Sequence, residues 1–356
     1  MENDILEIKN IKTVSLNDIK HTQYNIVQGN NLIEAMYNLN INELRIFLSI
    51  ISLIGQKDDA LSCYKLTTKE LCSLCGISEK NGKRTIDNLR ESLMKKNFYI
   101  TQTIIENGKP KKVNAEYHFF RAILYNDEFW YVRLSDDLIP FVLCLTDNFT
   151  TEKLYDVRNY SSLLSARLDM IFTMYYKKET YKMSLENKLK YKLSVTYSLD
   201  AFREMLLLDE KYKDFKYLNS RLIKPAIDEI NERNFFNVFL EKKINSKHQV
   251  DGITFHVTLA SNHEFYKKTN ELINKKAQEH NLSNKITNIL KTIGFDEKDI
   301  AYILRKNDLE QIKKQLKLMS ENEIEEKEEQ IDFLNTHLLT KKNKSKSTVL
   351  NMIGDL

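Results

Sequence analysis

One order of elements occurs twice along this chain, and it constrains the fold more than any single motif. In the first pass, Thr67-Thr68-Lys69-Glu70 reads as a capping box, with a hydroxyl at the N-cap and a carboxylate three residues on. Leu71 and Leu74 follow on one face, and Gly76 is placed to close that short helix. Ser78 is placed to cap a second helix reaching about Lys96, with Ile86, Leu89 and Leu93 as its apolar stripe. Two short helices joined by a tight turn containing Gly make a helix-turn-helix. The period then changes from helical to alternating. Residues 98–101 and 117–121 read as strands around a polar loop at 106–112, and 128–134 adds an aromatic strand. Ahead of all this, Leu44, Phe47, Ile51 and Ile54 keep the spacing of a buried helix.

The second pass begins near Ser161. Residues 163–176 read as an apolar helix, and Ser198 caps a short helix through Leu199, Phe202 and Leu206. A turn at Leu208-Asp209-Glu210 leads into a long helix over 212–232, with Phe215, Leu218, Leu222 and Ile230 facing inward. Pro225 lies inside that helix and predicts a kink or break. Strands at 235–240 and 253–259 follow, around a basic loop at 242–248. Laid over each other, the passes place Arg84 on Arg221 and Ile86 on Ile223.

A helix-turn-helix followed by a hairpin with a basic tip is the order of a winged helix, so the chain reads as a tandem repeat of that module. The expected class is α+β, mainly helical. The expected boundaries are an N-terminal extension at 1–24, winged-helix domains at 25–147 and 160–262, and a charged helical segment at 263–356.

The outer faces of the two long helices suggest a ligand. Opposite the apolar stripe of the first lie Lys80, Asn81, Arg84, Asn88 and Lys95, flanked by Lys83, with the acidic Glu91 on the same side. In the second, Lys213, Ser220 and Lys224 face outward, flanked by Lys216, Tyr217 and Arg221. The hairpins add Lys109, Lys111 and Lys112 in one repeat and Lys242, Lys243 and Lys247 in the other. Lys and Arg neutralise phosphates, and Asn, Ser and Arg reach base edges in a major groove that admits one helix. A single charged helix face is also what any solvated surface looks like; two of them, each followed by a basic wing, point to double-stranded DNA.

Composition narrows the alternatives. With 54 Lys+Arg against 50 Asp+Glu, the net charge over 356 residues is only +4, so a polyanion must be bound by local faces. Eight Gly and three Pro leave little for Gly-built phosphate loops, and no apolar run is long enough to span a membrane. The opening residues lack the order of a secretory signal, and four Cys make no disulfide framework, so a cytoplasmic protein is expected. Cys72-Ser73-Leu74-Cys75 has no second pair to complete a zinc site and reads as packing. Gly82-Lys83-Arg84-Thr85 puts Arg where a phosphate loop needs Ser or Thr. His118 and Arg121 with Tyr155 mimic part of a tyrosine-recombinase set but sit on an alternating strand. No nucleophile, base and metal assemble, so no catalytic residue, metal or cofactor is assigned.

Three stretches resemble the iteron-binding, theta-replicating plasmid replication initiators, the Rep family. They are Asn31-Leu32-Ile33-Glu34-Ala35 with Leu44-Arg45-Ile46-Phe47, then Tyr160-Ser161-Ser162-Leu163-Leu164-Ser165-Ala166-Arg167-Leu168, then Tyr212-Lys213-Asp214-Phe215-Lys216-Tyr217-Leu218 running into Lys224-Pro225-Ala226-Ile227-Asp228-Glu229-Ile230-Asn231. The resemblance covers about residues 25–261. It implies a tandem winged-helix protein that binds origin repeats as a monomer, while a homodimer formed through the first domain represses its own gene. It also implies recruitment of a host initiator and the replicative helicase, without catalysis. A transcriptional repressor with no origin role, or a tyrosine-dependent strand-cleaving enzyme, are the other readings.

After Ser261 the charges nearly cancel, with a Glu-rich run at 321–330 and a Lys-rich run at 341–346. Solvated helices with a frayed end are the first expectation there, and a small helical domain is the other reading, because Ile286, Ile289, Leu290 and Ile293 give residues 285–293 an apolar stripe.

Overall fold

Local signals place the elements where the sequence puts them, and long-range packing decides their lengths. The computed structural model describes residues 10–15, 24–55, 57–208, 212–233, 235–261 and 264–338. It divides at residue 264 into two units, each with its own core.

In the first winged-helix domain the elements are β1 (Ile11–Thr13), β2 (Asn25–Gly29), α1 (Asn30–Ile33), β3 (Met36–Tyr37), α2 (Ile41–Ile51), β4 (Cys63–Thr67), α3 (Thr68–Cys75), α4 (Glu79–Leu93), β5 (Asn97–Glu106), β6 (Lys109–His118), β7 (Phe120–Tyr125), β8 (Phe129–Leu134), α5 (Ile139–Val142), β9 (Phe149–Lys153) and α6 (Leu154–Arg158). Capping boxes start α2 at Asn40 and α3 at Thr67, and Gly76 closes α3 in the left-handed region at φ 67°. Ser78 precedes α4 but gives it no side-chain cap, and α4 ends at Leu93, short of Lys96. Phe47, Phe98 and Phe119 form the buried centre, with ring centroids 4.6 and 5.0 Å apart.

The wing is longer than the alternation implied. β5 and β6 pair in register down to Glu106 and Lys109, and Asn107 and Gly108 turn the chain with φ of 51° and 73°. Two consecutive positive φ values are what a two-residue hairpin needs, and Asn-Gly supplies them cheaply. The 106–112 segment is therefore mostly strand. Residues 117–121 also divide: β6 ends at His118, and Arg121 belongs to β7 in a different sheet, ordered β1-β4-β8-β7. Ile11–Thr13, inside the expected extension, fills the edge of that sheet by pairing in parallel with β4.

In the second domain α7 (Leu163–Thr180), α8 (Leu185–Lys190), β10 (Lys192–Ser198), α9 (Leu199–Met205), α10 (Phe215–Leu218), a π-helical turn (Asn219–Ile223), α11 (Lys224–Glu232), β11 (Phe236–Ile244) and β12 (Val250–Leu259) follow in order. Ser198 caps α9 through the amide of Ala201. Residues 209–211 of the expected turn lie outside the described residues. The long helix starts at Phe215 rather than at Tyr212, with Asp214 as its cap, so Lys213 lies before it.

Pro225 does not break this helix. Its ring would meet the carbonyl four residues back and it offers no N–H. A π turn widens the spiral just ahead of it, and the amide of Lys224 reaches the carbonyl of Asn219, five residues back. The same turn shifts the buried stripe by one residue. Leu218 and Ile223 are fully buried while Leu222 is half-buried, and Ala226, Ile227 and Ile230 continue the face.

The second unit comprises α12 (Glu264–Ile293), α13 (Glu297–Lys306), α14 (Leu309–Glu321) and α15 (Lys327–Leu338). It is not a row of solvated helices. Ile286, Leu290, Ile293, Ile300, Ile303, Ile312 and Leu334 pack into one core, with Ile289 left exposed. The stripe at 285–293 is the end of a much longer helix. The Lys-rich run at 341–346 lies outside the described residues.

Candidate nucleic-acid interface

The first recognition surface is built on a close helix crossing. A Cβ at Gly82 would overlap the sulfur of Cys72, so only glycine lets α4 approach α3 this closely. Cys72 and Cys75 are buried in that contact, and burial pushes the Cys75 thiol up to about 12. They are packing groups. With Ile86, Leu89 and Leu93 turned into the core, Lys80, Lys83, Arg84 and Asn88 all face solvent. No ion pair engages Lys80, Lys83 or Arg84 among the described residues.

A contact not foreseen from the sequence steadies the far flank of α4. The Arg90 guanidinium lies 3.8 Å over the Tyr125 ring, Tyr125 stacks on Trp130 at 5.6 Å, and the Trp130 indole donates to Thr68 Oγ1 at 3.1 Å. The ladder ties the recognition helix, the β7–β8 turn and the start of α3 together. The lone Trp and the aromatic run were visible in the sequence; their partner on α4 was not.

In the wing, Lys109, Lys111 and Lys112 are exposed strand residues on β6. Lys109 pairs in register with Glu106, and Lys111 pairs with Ile104 while its Nζ lies 2.9 Å from Glu106. Lys112 is paired with Thr103 and so projects from the opposite face of the ribbon. The three lysines do not act as one loop.

The second surface has the same composition with a different internal wiring. Lys216, Tyr217, Ser220, Arg221 and Lys224 are exposed along α10, the π turn and the start of α11. Tyr212, Lys213, Asp214, Tyr217 and Arg221 line an open cleft where the helix begins. Lys224 is already bonded to Asp228 at 2.7 Å, and the Ser220 hydroxyl donates back to the Tyr217 carbonyl at 3.4 Å. Arg203 on α9, which sequence reasoning passed over, donates to the carbonyls of Lys213 at 2.6 Å and Tyr212 at 3.4 Å. Those bonds fix the entry to the helix, where Tyr212 takes a φ of 61°. In the second wing Lys242 and Lys243 are on β11, with Lys242 Nζ 5.5 Å over the Phe215 ring, and Lys247 is in the turn. Among the described residues no group of His, Cys, Asp and Glu is arranged to hold a metal, and no helix is long and apolar enough to cross a membrane.

Known proteins carry the same pair of modules. The family model described as "Initiator Replication protein, WH1" matches residues 25–173, and "Initiator Rep protein, WH2" matches residues 198–257. Together they take in more than half of the chain. The chain belongs to the Rep family of replication initiators. A curated Escherichia coli relative named "Replication initiation protein" is 21% identical over 226 residues, which are 61% of this chain and 65% of that protein. The chain thus spans a little under two thirds of the length of the curated relative it matches. Among solved structures, a Pi initiator protein in complex with iteron DNA aligns over 67% of this chain and 99% of its own, at 16% identity and a TM-score of 0.49. Domains 2-3 of RctB align over 62% of this Rep chain and 82% of their own, at 9% identity and a TM-score of 0.34.

Proposed function

We propose that this Rep protein initiates replication of the plasmid that encodes it, by binding repeated origin duplexes through both winged-helix domains. One observation carries the reading: a single compact unit turns two recognition helices outward, each with Lys or Arg beside Asn or Ser, and each followed by a lysine-bearing hairpin. In the first domain Lys80, Lys83, Lys109, Lys111 and Lys112 take phosphates, with Arg84 and Asn88 at base edges. In the second, Lys213, Lys216, Lys224, Lys242, Lys243 and Lys247 take phosphates, with Tyr217, Ser220 and Arg221 toward the bases. A bidentate Arg–guanine or Asn–adenine pair discriminates by about 1–3 kcal/mol, enough to select a repeat. The two helices fill successive major-groove faces about one turn, or 10–10.5 base pairs, apart. A homodimer in equilibrium with the monomer represses the gene, and the DNA-bound monomer recruits the host initiator and replicative helicase; the protein itself catalyses no reaction.

Binding of the full-length protein to the direct repeats beside its gene tests this. Lys83→Glu with Arg84→Glu, and Lys216→Glu with Arg221→Glu, should each weaken binding at least about tenfold and lower the salt slope by about 0.9 per lost phosphate contact. Thermal stability should hardly move, because the four side chains are exposed. Unaltered affinity overturns the interface. Autonomous maintenance of a plasmid carrying only the gene and its repeats separates an initiator from a repressor.

A further inference from the structure

A short junction, α6 and residues 159–162, joins the two winged-helix domains, and its backbone is held from both sides. From the first domain, Arg45 on α2 donates through Nε to the carbonyl of Arg158 at 2.7 Å and through Nη2 to that of Tyr160 at 2.8 Å. Its Nη1 donates to Asn42 Oδ1 at 2.9 Å, so each of the three guanidinium nitrogens has a partner. From the second domain, Glu229 on α11 accepts the amide of Ser161 at 2.6 Å. Arg233, just past α11, donates to the carbonyl of Asn159 and lies 4.4 Å over the Tyr160 ring.

Two arginines then reach from this region to a helix C-terminus in each domain. Arg158 donates to the carbonyls of Ser73 at 3.1 Å and Leu74 at 2.7 Å, at the end of α3. Arg167 on α7 donates to the carbonyl of Met205 at 2.8 Å, at the end of α9. The same guanidinium crosses into the first domain, donating to Ala35 at 2.6 Å and lying 4.0 Å over the Tyr37 ring. The helices capped in this way are the supporting helices of the two helix-turn-helix motifs. Helix C-termini present orphan carbonyls and partial negative charge, which satisfy a buried cation without a carboxylate. Arg167 is 1% exposed and touches no carboxylate among the described residues. Its planar fork also fixes direction, which a lysine would not.

We propose that Arg45, Arg158 and Arg167 are spacing-determining residues that lock both helix-turn-helix motifs onto one junction, so that the protein measures the distance between two half-sites. This rests on the two-domain reading of DNA above. A rigid junction concentrates the second motif at one spacing and removes it from others, whereas a loose one spreads it over many.

The test uses full-length protein and duplexes of the direct repeat beside the gene, with none, two or five base pairs inserted at its centre, or with either half scrambled. Wild-type affinity should fall at least about tenfold on a five-base-pair insertion, which turns the half-sites to opposite faces of the duplex. Arg167→Met strips buried carbonyls of their donor and is expected to unfold the protein. Arg45→Gln with Arg158→Gln, at half-buried positions, carries the test instead. That double variant should bind all insertions within about threefold of one another, below wild type on the uninterrupted repeat, and match wild type on half-scrambled duplexes. Retention of the wild-type spacing profile overturns the proposal, as does weaker binding to half-scrambled duplexes, which would mark a structural role only. Wild-type indifference to insertion also overturns it while leaving DNA binding intact. Failure of wild type to bind any repeat duplex would instead sink the functional reading, and this proposal with it.

Discussion

The two recognition helices present similar outer faces on different backbones. α4 is a regular helix that reaches its supporting helix by giving up a side chain, at Gly82. The helix over residues 215–232 keeps its side chains but inserts a π turn, so its buried positions step by five from Leu218 to Ile223. In α4 the inward steps are three and four, from Ile86 through Leu89 to Leu93. The charges differ too: Lys80, Lys83 and Arg84 have no ion-pair partner among the described residues, while Lys224 is held by Asp228. What the repeats share is the partition into inward apolar and outward polar residues; the backbone is adjusted separately in each to reach it. The adjustment in the second spans Ser220 and Arg221, both exposed and both among the residues proposed to face the bases, and π turns do concentrate at functional sites.

The sharpest way to break this comparison is to force the second helix to resemble the first. Deleting Asn219 restores four-residue spacing between Leu218 and Ile223 but sets Pro225 into a regular helix, at a cost of about 3 kcal/mol or more in urea unfolding. Adding Pro225→Ala to the deletion should recover most of that loss, whereas Pro225→Ala alone should move stability by less than about 1 kcal/mol, because the wide turn already makes room. A deletion without cost would show that the π turn is incidental. A smaller effect tests the first helix: Gly82→Ala drives a methyl group into the Cys72 sulfur and should lose about 1–3 kcal/mol, read by the same unfolding curves.

A pH effect lies where the halves meet. Burial pushes Glu152 on β9 up to about 8 and Asp169 on α7 up to about 7, each reinforced by a neighbouring carboxylate and opposed by Lys177. Asp156 adds to the rise, and Arg233 and the Tyr160 hydroxyl oppose it at Asp169. The folded chain therefore holds protons that the unfolded chain has released by about pH 5, and its stability falls as pH rises through 7 and 8. Melting temperature should drop between pH 6 and 8.5, and Glu152→Gln should flatten that slope. A melting temperature that rises over this range would contradict the assignment.

Much of the fold was legible because its signals are local. The Thr67–Glu70 box, the Gly76 stop and the Ser198 cap each act within one helical turn. The stripe of α4 followed from period alone. The inward placement of Leu222 failed because a fixed 3.6-residue period cannot register an inserted residue. Placing Lys213 on the helix failed because Asp214, the true cap, looked like one more polar residue. The wing lysines were assigned to a loop although Asn107-Gly108, a strong two-residue turn signal, stood within it. The core of the second unit was under-read because Phe295, Ile312 and Leu334 meet only once four helices fold together. Least legible were Arg45, Arg158, Arg167 and Arg203. Apart from the local bonds of Arg45 to Asn42 and Arg203 to Asp200, their hydrogen-bond partners are backbone carbonyls, which leave no residue type to read, and for three of the four those carbonyls lie far along the chain.

Hydroxyl-radical footprinting of the full-length protein on a single direct repeat tests the central claim most directly. Two protected patches should appear on one face of the duplex, centred about 10–10.5 base pairs apart. One patch alone, or two on opposite faces, would contradict a protein that reads adjacent grooves with both of its helices.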